Sequence, residues 1–150
     1  MIGMSKIENK FMDRKEMYSI EEVLSKIVPI NVDKKESKVD FDGDMIPMSS
    51  HRYHNFKEHG VVCVCCGIKG EYFVKERSKG SISYHFNLYA IDENKNEVLM
   101  TKDHIVAKSQ GGPNRLENYQ PMCTICNKEK GYMSNEEFKQ HIANKQNSVV

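Results

Sequence analysis

Apolar positions along this chain come in short, well separated groups, and their spacing predicts a set of small mixed elements. Ser19-Ile20-Glu21-Glu22 has the Ser-x-x-Glu form that satisfies the first backbone donors of a helix, and Val23, Leu24 and Ile27 follow on one face before Pro29 stops it. Lys38-Val39-Asp40-Phe41 alternates up to Asp42-Gly43, a pair that tolerates positive φ, so a hairpin closing on Met45-Ile46 is expected. Ser50 caps a stretch with Tyr53, Phe56 and Lys57 at helical spacing, ended by Gly60. Aromatic and branched runs at Glu71–Val74, Tyr84–Tyr89 and Val98–Met100 read as strands. A second capping box at Ser134–Glu137, with Phe138 and Ile142 four apart, predicts a last helix. Residues 1–18 are polar without a sustained period and read as a loosely docked arm, while 31–38 read as a solvated connector. No internal repeat is visible.

Composition narrows this to one functional unit. A chain of 150 residues, 39% hydrophobic and without tryptophan, supports only a modest core, so help from a bound metal is expected. No apolar run approaches a bilayer span and the first residues lack a signal-peptide core, which predicts a soluble, cytoplasmic protein with no membrane partner. Five cysteines in such a compartment point to thiols or metal ligands rather than disulfides. The net charge of +1 is unevenly spread: residues 1–50 carry 8 basic against 10 acidic side chains, and 51–150 carry 14 against 11.

Four of the cysteines fall into two pairs with a two-residue gap, Cys63/Cys66 and Cys123/Cys126. That spacing lets both sulfurs of a pair reach one tetrahedral zinc, and four sulfurs close a structural site with no position left for water. Cys66 is preferred over Cys65 for its spacing and because Gly67 allows a tight turn, which leaves Cys65 as a spare thiol. A redox role for the pairs is disfavoured, because no thioredoxin-like context surrounds either.

From Lys102 the chain reads Asp103-His104, then Gly111-Gly112-Pro113, a central Asn118, and Cys123-Thr-Ile-Cys126-Asn127-Lys-Glu-Lys130-Gly131. This order resembles the HNH nuclease motif, the ββα-metal fold, over about thirty residues, and the Cys63–Cys66 pair extends the likeness to roughly half the chain. The resemblance implies an α+β fold: a small ββα-metal core with a zinc knuckle pair, added strands and short helices. Residues 1–49 would form an accessory region and 50–150 the nuclease domain. It also implies a DNA endonuclease with His104 as base, Asn118 as brace, and a catalytic metal on Asp103 and Asn127.

The residues support that division chemically. A neutral imidazole accepts a proton near physiological pH, and Asp and Asn offer hard oxygens suited to Mg²⁺ or Mn²⁺. Adjacent residues on a strand point to opposite sides, so Asp103 and His104 can serve different tasks at a strand end, with Asn127 returning on a helix begun within the second knuckle. Asn127 stands where a common form of the motif has His, which favours Mg²⁺ or Mn²⁺ over softer metals there. Lys108, Arg115, Lys128 and Lys130, with Lys102, flank the site and are candidates for phosphate contact, with double-stranded DNA as the expected partner. His51, His54, His59 and His141 fall on predicted helices without partners and are left outside, and the strand aromatics are assigned to the core. The competing reading is a catalytically inactive, zinc-stabilised nucleic-acid-binding module. The small size and Lys-, Asn- and Ile-rich composition fit a bacterial or phage source.

Overall fold

The computed structural model describes residues 3–4 and 11–148, the side chains of residues 3, 4, 146 and 148 excepted. Its main feature is a six-stranded antiparallel sheet in the order β1 (Gly3–Met4), β2 (Met12–Tyr18), β5 (Gly70–Ser78), β6 (His85–Ile91), β7 (Glu97–His104), β8 (Tyr119–Cys123). A separate hairpin, β3 (Lys38–Phe41) and β4 (Asp44–Pro47), turns at Asp42 and Gly43, both at positive φ. The helices are α1 (Ile20–Leu24), α2 (His51–His59), α3 (Thr124–Lys130) and α4 (Asn135–Ser148). The mixed α+β class expected from sequence is the class observed. Among the described residues no helix is long and apolar enough to cross a membrane.

Local signals produce these elements as expected. Ser19 and Ser50 oxygens accept from Glu22 and Arg52 backbone N–H groups, and Gly60 ends α2 at φ 91°, a conformation open to glycine. α1 is shorter than its apolar spacing suggested, ending at Leu24, while Ile27 and Val28 pack on the core from the following loop.

One core joins all these parts. Phe73, Phe86 and Leu88 of the sheet pack against Tyr18, Phe41, Ile46, Tyr53 and Phe56. The rings of Tyr18, Phe41 and Phe86 meet edge to face at 4.7–5.6 Å, an arrangement favoured by the ring quadrupoles. Tyr89 is buried, as assigned from sequence, and donates to Glu76, while Tyr72, also assigned to the core, is only partly buried and donates to Glu97; both lie on the opposite sheet face.

The arm expected at 1–18 needs correction. Residues 1–2 and 5–10 lie outside the described residues, but Met12–Tyr18 forms a regular strand paired with β5. Its charges made it look solvated, yet Arg14 bridges Glu76 and Glu97 at 2.8 and 2.7 Å, and Glu16 and Asp44 hold the fully buried Lys75. Partners 59 to 83 residues away turn a polar segment into an interior strand.

Candidate active site and thiol cluster

β7 carries the site. Its first half pairs with β6 and its second half, Met100–His104, with β8, so the strand runs from the central sheet to the cysteine region. β8 continues into α3, giving strand, loop, strand and helix in sequence. Asp103 and His104 are the last residues of β7, and His104 pairs across with Tyr119.

The loop joining these strands is built by Asn118. Its Oδ1 accepts from the Val106 N–H at 2.9 Å, and its Nδ2 donates to the carbonyls of Val106 and Pro113 at 3.1 and 2.9 Å. The two loop glycines answer different demands. Gly111 sits at φ 84°, whereas a Cβ on Gly112 would lie 1.8 Å from the Val106 carbonyl oxygen.

A cleft of about 230 Å³ brings together Asp103, His104 and Asn127, with Lys102 and Lys108 at its edge and Tyr132, 82% exposed, beside them. His104 Nε2 lies 2.8 Å from Asn114 Oδ1. With the amide oxygen accepting, the ring proton sits on Nε2 and the Nδ1 lone pair is left free. His104 also packs edge-on to Tyr119 at 5.0 Å.

Asn127 is aimed by a relay: its Nδ2 donates to Thr101 Oγ1 at 2.9 Å, and the Thr101 hydroxyl donates to the Met122 carbonyl at 2.7 Å. The amide oxygen of Asn127 is thereby left for another partner. Asp103, buried, uses Oδ2 to accept from Lys130 Nζ at 2.6 Å and Gln120 Nε2 at 2.9 Å. Two hard oxygens, Asp103 Oδ1 and Asn127 Oδ1, suit a cation that keeps several of its waters, as Mg²⁺ does.

Lys130 is the second correction. Expected on phosphate, it is 2% exposed, and its ammonium donates to Asp103, the His104 carbonyl and Asn135 Oδ1, so all three donors are used internally. Lys108, Arg115 and Lys128 are exposed. The histidines set aside from sequence do have partners: His51 bonds the Tyr119 hydroxyl, His54 and His59 the carbonyls of Val28 and Leu116, and His141 the Glu129 carboxylate. They fasten helices. Asn114, Thr101 and Gln120 escaped sequence reasoning, since a lone polar side chain signals nothing until its partner is known.

Behind α3, the sulfurs of Cys63, Cys66, Cys123 and Cys126 lie within 4.8 Å of one another. Cys66 and Cys123 Sγ are 3.8 Å apart, the edge of a tetrahedron whose centre is about 2.3 Å from each corner. The first knuckle turns at Gly67, whose N–H bonds the Cys63 carbonyl, and docks on β8 through the bond from Val64 N–H to the Pro121 carbonyl. Cys123 caps α3. Burial pushes the Cys63 thiol up, but N–H groups of Cys123, Cys66 and Cys65 pull it further down, to about 7. Burial raises Cys126. Four thiols in this arrangement fit a zinc ion.

Residues 92–143, about a third of the chain, match the family model for HNH endonuclease. No curated protein and no solved structure matches the chain.

Proposed function

We propose that this HNH endonuclease segment hydrolyses phosphodiester bonds in DNA, double-stranded DNA foremost, in a metal-dependent reaction. One observation carries the reading: Asp103, His104 and Asn127 open into a single cleft on a strand, loop, strand and helix unit. His104 takes the proton of the attacking water at Nδ1, the nitrogen that its bond to Asn114 leaves free. Tyr119 behind the ring and Asn114 beside it hold the imidazole in one orientation. Asn118 keeps the loop carrying Asn114 in register with the strand end. Asp103 and Asn127 are the residues that would hold Mg²⁺ or Mn²⁺, which would supply positive charge for the scissile phosphate and the leaving 3′-oxygen. The products then carry 5′-phosphates.

Exposed Lys108 lines the cleft, exposed Arg115 follows in the same loop and exposed Lys128 follows Asn127 on α3, and these cations neutralise flanking phosphates. Zinc on Cys63, Cys66, Cys123 and Cys126 has a structural part: it ties the first knuckle to the start of the helix that bears Asn127.

The test is plasmid nicking in Mg²⁺ by the parent, H104A and N127A. The parent is expected to nick, with both variants reduced at least a hundredfold while keeping the parent's thermal transition. Equal cleavage by H104A and the parent overturns the assignment of the base. A parent that binds DNA and never cuts it, in Mg²⁺ or Mn²⁺, establishes the inactive binding module instead.

A further inference from the structure

Of the seven described lysines and arginines that are not exposed, five are ion-paired: Arg14, Lys15, Lys75, Arg77 and Lys130. The other two are Arg52 and Lys102, for which no carboxylate partner is found among the described residues. These two are neighbours. They line one cleft of about 410 Å³ together with Ser50, Leu99, Met100 and Thr101. Lys102 also lines the cleft of His104, so the two depressions share a wall.

Both cations are held in place from below. Arg52 Nη2 donates to the Phe86 carbonyl at 2.5 Å, while its Nε is buried with no partner among the described residues. The Lys102 ammonium stands 4.4 Å over the ring of Tyr119, the same ring that His104 meets edge-on and whose hydroxyl bonds His51. One aromatic ring thus sets the spacing between the proposed base and a half-buried cation. Partial burial of two like charges side by side is unfavourable in the free protein, and an anion between them relieves both the repulsion and the desolvation. Burial and the Arg52 charge hold His85 below its ordinary range, against the opposing pull of the Glu76 carboxylate, and burial with the Lys102 charge does the same to His51.

We infer that Arg52 and Lys102 form a binding subsite for a nucleic-acid backbone phosphate next to the scissile one, extending the contact surface onto α2, outside the family-matched stretch. The inference rests on the nuclease reading for the position of the scissile phosphate. A nucleic-acid backbone is favoured over a free anion because the subsite continues into the cleft of His104, where the next phosphodiester along a strand would fall.

The experiment measures binding of the full chain, zinc-loaded and free of Mg²⁺, to a duplex DNA across a salt series. Each of R52Q and K102Q is expected to lower the slope of log affinity against log salt by about 0.9, the value for one lost phosphate contact, and R52K to restore it. K139Q, which removes an exposed charge on α4, is the control and should leave the slope unchanged. Should R52Q fail to fold, K102Q decides, since among the described residues the Lys102 ammonium contacts only a ring. Parental slopes in folded R52Q and K102Q overturn the inference, as does an equal loss in K139Q. A parent that binds with these slopes yet never cuts overturns the nuclease reading alone, and a parent that does not bind DNA overturns both.

Discussion

Replacing Lys130 with methionine keeps the aliphatic stem and removes the ammonium that holds three acceptors. In the folded protein that ammonium is 2.6 Å from Asp103 Oδ2, with side-chain exposures of 2% for Lys130 and 9% for Asp103. Breaking such a buried pair leaves a carboxylate in a poorly solvated place and costs about 3–5 kcal/mol. The His104 carbonyl and Asn135 Oδ1 lose a donor in the same step. Against a total stability of about 5–15 kcal/mol this is a large fraction, and for a domain of this size it corresponds to a fall in Tm of about 10 °C. Urea unfolding of the zinc-loaded protein measures it, with D103N and the double variant D103N/K130M completing a cycle. The double variant should recover at least about 2 kcal/mol relative to the sum of the single losses, because it leaves no unpaired charge. A K130M variant with Tm within about 2 °C of the parent would refute the account of Lys130 as the buried partner of Asp103.

Chelating the proposed zinc, or C66S, should unfold the protein, since structural zinc binding is worth about 10–16 kcal/mol and exceeds the usual stability of a domain; circular dichroism with metal analysis checks it, and a chelated protein keeping its full transition speaks against the role. G112A places a methyl group against the Val106 carbonyl, so a loss of about 1–3 kcal/mol and of most nicking activity is expected, read by thermal melts and plasmid assay. Alkaline stability should depend on Tyr18, Tyr72 and Tyr89, which burial and their bonds to Asp42, Glu97 and Glu76 hold above the ordinary tyrosine range. Their folded values are raised, so this stability is complete below pH about 10 and is lost as pH rises towards them. Tyrosinate absorbance should then grow together with unfolding, and free ionisation in the native state near pH 10 would contradict the buried bonds.

The parts of this protein that depend on neighbours in sequence were legible before any fold was known. Capping serines and the Asp42-Gly43 turn act within four residues, so their elements form where the pattern places them. The cysteine pairs are legible for the same reason, because a two-residue gap is itself the geometry of a knuckle, and the fold only had to bring two such gaps together. Asp103, His104 and Asn127 were named as an ordered set because the run from Asp103 to Gly131 resembles the HNH motif, a likeness carried by residues that lie close together in sequence.

Tertiary structure alone decided which polar groups face inward. Met12–Tyr18 is a strand because Glu76 and Glu97 await Arg14 across the sheet, and Lys130 is a buried anchor because Asp103 and Asn135 meet it. Arg52 joins the proposed site from a helix fifty residues upstream because that helix packs beside β7 and β8, placing a second cation next to Lys102. A charged residue carries the same local signal whether water or a distant side chain will solvate it. The choice between them depends on contacts across the sheet, which the local pattern does not encode.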